Sequence, residues 1–204
     1  MNKIAITLVV LLTLAIAGVG VSFALQASSY PDVSGSRDLT EYTHEVKTGS
    51  FNAIDASISI DVYYTPGSKT SVKIVTTERL LKYVEAGVSS GTLNLTMSKE
   101  YANGNNGLRR KGDKVKVYVT APQVNSFIAS TSADIKCSSP ITGIKKLKVD
   151  ASTSGEISLS RVQATDAVVY ASTSGEVDIE SLESNMFKAN ASTSGEIDID
   201  NLVA

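Results

Sequence analysis

The sequence predicts an all-β protein whose C-terminal half is a parallel β-solenoid of about four coils, preceded by a β-hairpin-rich N-terminal part. The first observation is a repeat: Ala-Ser-Thr-Ser-Gly-Glu begins at Ala151, Ala171 and Ala191, 20 residues apart. A looser copy begins at Ala129, 22 residues before Ala151. A fixed period near 20 residues is typical of solenoids. The second observation is composition, because short alternating runs of Val, Ile, Ser and Thr favour strands over helices.

Aligned on this period, the repeats share apolar columns. The columns are Val149/Val169/Ala189, Ala151/Ala171/Ala191, Ile157/Val177/Ile197, Leu159/Ile179/Ile199 and Val162/Leu182/Leu202. Polar residues lie between them, which predicts side chains that alternate between a core and water. Cys137 falls in the column of Leu159, so we expect it to be a core residue.

Each Ser-Gly-Glu lies between two inward-facing runs and predicts a corner of the chain. We expect Gly155, Gly175 and Gly195 to adopt a positive φ there, since glycine does so without steric cost. Ala133 occupies the matching position of the looser copy, so its corner is predicted to differ in backbone conformation.

Residues 49–204 are predicted to form a single β domain, with the repeats from 129, and residues 25–48 a linker. Within the domain, residues 51–65, a Pro66-Gly67 turn and residues 70–77 predict a hairpin. Residues 92–97 and 114–119 predict two further strands. Residues 78–85 fit a helical turn and a strand start equally well, and both alternatives stay open.

Residues 1–24 predict a signal peptide, because Lys3 precedes an apolar run from Ile4 to Val21 and small residues flank a cleavage point after Ala24. The run is nearly long enough to span a bilayer, so an uncleaved membrane anchor is the alternative. Contact with a membrane is expected only through this segment. Both alternatives predict an exported protein of the periplasm, the outer surface or the extracellular space.

Charge and composition exclude several functions. A formal net charge of −2 gives no basic field for nucleic acid. A single histidine, His44, and a single cysteine, Cys137, supply neither a disulfide framework nor a transition-metal site. No serine lies in a nucleophile elbow. The sequence therefore predicts no catalytic residue and no cofactor, and a carbohydrate-active enzyme is the least favoured interpretation.

Two candidate ligand sites follow from the pattern. In-register stacking would place Glu156, Glu176 and Glu196 in a row about 4.8 Å apart, which predicts a weak Ca²⁺ site, with a solvated acidic row as the alternative.

The second candidate is the loop 98–113, where Tyr101 is followed by Arg109, Arg110 and Lys111. An aromatic ring beside cationic groups predicts binding of an acidic glycan or a lipid headgroup, and a merely solvated loop is the alternative.

The chain resembles the putative auto-transporter adhesin head domain (GIN domain) family. The resemblance is carried by Phe51-Asn-Ala-Ile-Asp-Ala-Ser-Ile-Ser-Ile-Asp-Val62, Gly91-Thr-Leu-Asn-Leu95, Val115-Lys-Val-Tyr-Val-Thr-Ala-Pro122 and the Ser-Thr-Ser-Gly-Glu repeats. It departs from the family at the corners, where Gly-Ser-Gly is usual. The resemblance implies surface location and binding.

We therefore expect an exported, non-catalytic, adhesin-like protein of the cell envelope that binds a glycan or another cell-surface component. The alternative is a structural or self-assembling envelope module, in which the last coil stacks end to end with another chain.

Overall fold

The computed structural model describes residues 40–103 and 113–204. The predicted signal peptide or anchor, residues 1–24, lies outside these ranges. The strands are β1 Tyr42–Val46, β2 Ala53–Ser57, β3 Ile60–Pro66, β4 Ser71–Thr76, β5 Val84–Ser89, β6 Thr92–Met97, β7 Val115–Ala121, β8 Ser126–Ser130, β9 Asp134–Cys137, β10 Ile141–Ser152, β11 Glu156–Ser172, β12 Glu176–Ser192 and β13 Glu196–Val203. Two short helices are α1 Glu78–Leu81 and α2 Lys99–Ala102. Among the described residues no helix has both the length and the apolar character needed to cross a bilayer.

The all-β prediction is confirmed, but the predicted parallel β-solenoid behind a separate hairpin-rich part is wrong. All thirteen strands belong to one mixed sheet that is nearly closed into a barrel. The pairs β1–β4, β4–β7 and β5–β6 are antiparallel and are continuous with the parallel pairs. The physical reason is that β2 and β3 hydrogen-bond directly to β8 and β9. The N-terminal strands therefore extend the repeat strands laterally and do not precede them as a separate unit.

The sheet bends within its long strands. The first part of β11, Glu156–Leu159, pairs with β9, whereas its second part, Val162–Ser172, pairs with β10. The inward side chains therefore meet in one apolar core, which includes Phe127 of β8 and Ile54 of β2. Along β11 buried residues alternate with less buried ones within residues 156–160, 161–165 and 166–172, as the period of two in a strand requires, and the alternation shifts by one residue between these runs.

The predicted apolar columns are confirmed by the strand register. Val149 pairs with Val169 and with Phe127, while Leu159 pairs with Ile179 and with Cys137. The 22-residue spacing of the first copy returns to 20 residues between Cys137 and Ile144, where a bulge at Ile141/Ile144 contains Gly143 at φ +73°. A bulge removes an extra residue from the ladder without disturbing the flanking columns.

The corner prediction is wrong for the glycines. The positive φ values belong to the preceding Thr and Ser, for example 50° at Thr173 and 60° at Ser174. Gly175 is required for a different reason: a Cβ there would lie 2.3 Å from the carbonyl oxygen of Ala151 in the repeat below. The corner before Ala133 has the same left-handed pair, 53° at Thr131 and 61° at Ser132, so the predicted backbone difference is absent.

The predicted hairpin around Pro66-Gly67 is also wrong, because β7 lies between β3 and β4. β3 pairs with β7 in parallel, and β4 pairs with β7 antiparallel. The amide of Gly67 donates to the carbonyl of Ala121 at the end of β7 (3.0 Å), and a Cβ on Gly67 would lie 2.6 Å from the Thr120 methyl. Long-range pairing therefore overrides the local turn signal.

Two segments that the sequence left open or polar form regular secondary structure. Residues 78–81 of the ambiguous segment form α1, capped by Thr77, and the strand β5 begins only at Val84. Tyr42–Val46 of the predicted linker forms β1 against β4. The sheet therefore begins before Gly49.

Candidate functional site: an outward groove over Tyr170

A shallow groove of about 460 Å³ lies on the outer face of β10, β11 and β12. Its lining is formed by Lys148, Asp150, Tyr170, Ala171, Ser172, Asn190 and Ser192. Six of these seven residues carry a polar group, and Ala171, which is 1% exposed, forms the floor. Small-molecule sites in proteins are concave, with a few polar groups placed around an apolar or aromatic surface.

Strand register builds the groove from two rows. Asp150, Tyr170 and Asn190 are directly paired across the three strands, and so are Ser152, Ser172 and Ser192. Neighbouring strands lie about 4.8 Å apart, and positions two residues apart along a strand about 6.6 Å apart. The sheet thus presents a grid of hydrogen-bonding groups with one aromatic ring at its centre.

Tyr170 is the largest side chain of the groove and is 41% exposed. Its neighbours in the row are the shorter Asp150 and Asn190, so the phenol ring is flanked by a carboxylate on one side and an amide on the other. A tyrosine offers an apolar face together with a polar hydroxyl tip. The ring can therefore stack against a ligand while the flanking groups donate and accept hydrogen bonds.

The charges of the groove are balanced. Lys148 Nζ lies 3.0 Å from the Asp150 carboxylate, and both side chains are partly exposed. Asp55, on β2 of the same face, has its pKa raised by burial, an effect opposed by Lys148 and reinforced by Asp150. This surface consequently has no strong field of one sign, which suits a neutral polar ligand better than a highly charged one.

The predicted acidic row exists as a register but does not form a converging group. Glu156, Glu176 and Glu196 are directly paired on successive strands. Glu156 forms an ion pair with Lys136 (3.1 Å) and accepts a hydrogen bond from Ser158. In residues 40–103 and 113–204, no three His, Cys, Asp or Glu side chains are arranged as a metal site. Weak Ca²⁺ binding by this row stays a prediction.

The predicted loop site is only partly described. Arg109, Arg110 and Lys111 lie outside the described residues. Tyr101 is buried, packs against Tyr83 and donates its hydroxyl to Asp113 (3.2 Å). Its ring is therefore a core element, and a ligand-binding role for this loop now depends on the three basic residues.

The two side chains best suited to chemistry lie apart from the groove. His44 is on β1, where burial lowers its pKa against a smaller opposing effect of Glu78. Cys137 is 2% exposed, donates its thiol to the carbonyl of Ser139 and has its pKa raised by burial. The prediction that Cys137 is a core residue is confirmed.

Sequence reasoning missed the groove, although a signal was present. The alignment that revealed the inward columns also places Asp150, Tyr170 and Asn190 in one outward column. In that column a large aromatic replaces a small polar residue. Reading the outward columns for departures from the repeat would have identified Tyr170.

Comparison with known proteins places the fold and the family. No curated protein matches the chain. A putative adhesin from Parabacteroides distasonis shares 18% identity at a TM-score of 0.64, covering 81% of this chain and 67% of that one. A putative adhesin from Bacteroides fragilis gives 15% identity and a TM-score of 0.42, with 80% and 96% covered. One from Parabacteroides merdae gives 13% and 0.41, with 80% and 96% covered. Because the identity is 18%, the similarity to the Parabacteroides distasonis structure shows a shared fold and nothing further.

The family model described as putative auto-transporter adhesin, head GIN domain, matches residues 50–204. That range contains every described strand except β1, together with the whole groove. The chain therefore belongs to the putative auto-transporter adhesin head GIN domain family.

Proposed function

We propose that this protein is an exported, non-catalytic, adhesin-like binding protein of the cell envelope, and that the groove over Tyr170 contacts a neutral carbohydrate. The observation that carries the proposal is the row Asp150–Tyr170–Asn190, an exposed aromatic ring between hydrogen-bonding side chains on a rigid sheet. Family membership supports the adhesin-like role.

The ligand class follows from the chemistry of the grid. A sugar ring offers an apolar face of C–H groups and an equatorial rim of hydroxyls, and each hydroxyl both donates and accepts hydrogen bonds. Tyr170 can stack under the apolar face, while Asn190, Asp150 and the serine hydroxyls reach the rim. The balanced charge of Lys148 and Asp150 favours an uncharged sugar over an acidic one.

The same geometry supports a binding role over a catalytic one. Glycoside hydrolysis by the common mechanism requires two carboxyl groups on either side of the bond that breaks. The groove lining contains one carboxylate, Asp150, and that carboxylate forms an ion pair with Lys148. A bound glycan should therefore be released unchanged.

The proposal is tested by glycan-array binding of the full chain, followed by titration of the best glycan. Tyr170→Ala should weaken binding at least tenfold, since aromatic anchors carry most of the binding energy of such sites. Tyr118→Ala is the matched control, because Tyr118 is similarly exposed (46%) but stacks on Tyr63 in another part of the sheet. Mass spectrometry of the recovered glycan tests for cleavage.

Three results would contradict the proposal. A blank array would remove the carbohydrate ligand, equal losses in both tyrosine variants would remove the groove as its site, and a shortened glycan would show catalysis. Binding that survives Tyr170→Ala but disappears when Arg109, Arg110 and Lys111 become alanine would move the site to the 98–113 loop.

A further inference from the structure

The outer edge of β12 and β13 has no strand paired with it in residues 40–103 and 113–204. Among the described residues, β13 pairs with β12 alone, and the second half of β12 pairs with β11 alone. The outer N–H and C=O groups of this edge have no strand beside them in that part of the chain. An open edge is a template onto which another extended segment can add by backbone hydrogen bonds.

The inward side chains of this last layer are only half covered. Leu202 is 43% exposed, whereas Leu182, one repeat earlier, is fully buried. Ile197 and Ile199 are partly exposed, and their counterparts one repeat earlier are fully buried. Because the matched residues are of similar size and point the same way, the difference comes from the strand that covers the earlier one. A further strand would bury these side chains in the same manner.

The outward side chains of the edge define which strand would fit. Glu196, Asp198 and Asp200 are exposed, and the first two stack directly on Glu176 and Asp178. Another acidic strand would place like charges directly opposite them, which is destabilising. At the far end of the same face, by contrast, a lysine compensates the row, since Lys136 forms an ion pair with Glu156.

We propose that the β12–β13 edge is a docking site for an extended segment of another protein in which apolar residues alternate with lysine or arginine. The apolar residues continue the columns of Ile197, Ile199 and Leu202, and the basic residues lie beside Glu196 and Asp198. This surface is distinct from the Tyr170 ring and does not depend on carbohydrate binding.

A second copy of the chain fits this edge less well. Two β13 strands side by side would bring together two sets of acidic side chains. End-to-end stacking of β13 onto β2 or β3 would have to displace a strand, because β2 is already paired with β6 and β8, and β3 with β7 and β9. The end-to-end self-association predicted from the sequence is therefore the competing outcome.

Two synthetic peptides test the proposal on the full chain. One copies residues 191–203 with the changes Glu196→Lys, Asp198→Lys and Asp200→Lys, and the other keeps the native acidic residues. In calorimetric titration the basic peptide should bind at least tenfold more tightly than the acidic one. Its affinity should fall as salt is raised from 0.05 M to 0.5 M, and amide exchange in β13 should slow on binding.

Protein variants locate the binding to the edge. Ile199→Asp and Leu202→Asp should each weaken the basic peptide at least fivefold, because they place a charge in the apolar columns. Asn201→Ala, on the same strand but outside these columns, is the control, and thermal melting confirms that each variant is folded. Equal binding of both peptides, tighter binding of the acidic one, no binding of either, or a concentration-dependent dimer in light scattering would each overturn the proposal.

Discussion

Replacing Gly175 with alanine tests the physical basis of the corners. Glycine at a turn is usually explained by a positive φ, but Gly175 has no such φ, and its neighbours Thr173 and Ser174 do. Its Cβ would lie 2.3 Å from the Ala151 oxygen and 2.5 Å from the Ala151 carbonyl carbon. Both are backbone atoms, so no side-chain rotation relieves the overlap.

The expected cost follows from these distances. Contacts under 3.0 Å are essentially never made by a real Cβ, so the two strands must separate locally by at least 0.7 Å. Overpacking of this kind costs about 1–3 kcal/mol. The separation also stretches the bond from the Glu176 amide to the Gly155 carbonyl (2.9 Å), which adds ~1 kcal/mol. Alanine also lowers the conformational entropy of the unfolded chain, which offsets about 0.4–1 kcal/mol of this cost. Gly175→Ala should therefore lower the free energy of unfolding by about 1–3.5 kcal/mol.

Urea unfolding of three variants gives the measurement. Gly175→Ala should lower the midpoint with an unchanged slope. Gly49→Ala is the matched control, since nothing lies within 4 Å of the added Cβ, and it should leave the midpoint within about 0.5 kcal/mol of the parent. Thr173→Gly should be neutral or stabilising by up to ~1 kcal/mol, because it relieves a β-branched residue at φ 50°. A neutral Gly175→Ala together with a destabilising Thr173→Gly would refute the reasoning.

Three further predictions concern burial and charge. Ile179→Ala should cost about 2–5 kcal/mol of unfolding free energy in urea titration, and Ile199→Ala clearly less, because Ile179 is fully buried and Ile199 is partly exposed; equal costs would contradict the half-covered last layer. Burial, then Glu156 and Asp61, raise the pKa of Asp134, so the folded chain holds this proton at pH values where the unfolded chain has lost it. The contribution of Asp134 to stability therefore falls as pH rises above 3.8 through the folded pKa, and Asp134→Asn should raise the urea midpoint at pH 7 more than at pH 4, a difference that a flat profile would disprove. Cys137 should react with a thiol-specific disulfide reagent at least a hundredfold faster in urea than when folded, since its thiol is buried with a raised pKa; fast native labelling would place it at the surface.

The inward columns could be predicted because two periods coincide in the sequence. Alternation with a period of two fixes which side chains point inward, and the 20-residue repeat fixes which of them meet. Val149, Val169 and Phe127 consequently lie in one column, as the alignment required. This information is local to each repeat and does not depend on the rest of the chain.

The architecture could not be predicted in the same way, because it depends on pairings between distant segments. No residue near Pro66-Gly67 indicates that β7, some 50 residues later, lies between β3 and β4. The hairpin rule describes neighbours in sequence, and it fails when a distant strand offers a better apolar face and a full set of backbone partners. The mixed, nearly closed sheet follows from those long-range pairs.

The backbone conformation of the corners was predicted wrongly for a different reason. Residue preferences assign a left-handed φ to glycine, whereas here two non-glycine residues adopt it and the glycine relieves a contact between layers. Such a contact exists only once the strands are stacked. The candidate groove has the same origin, since Asp150, Tyr170 and Asn190 become neighbours only through the register.

The fixed residues of the corners and the variable residues of the groove follow from the same strand register. Each corner holds the strands before and after it in a fixed register, and a slip of one residue would turn every inward side chain outward. The inward columns and the corner glycines fix that register, so the outward side chains do not contribute to it. Asp150, Tyr170 and Asn190 differ freely from strand to strand while Ala151, Ala171 and Ala191 beside them do not. Ligand specificity can therefore change at the outward row without a change of fold, and exchanging Tyr170 with Asn190 should move the binding surface by one strand, about 4.8 Å, and leave stability nearly unaltered.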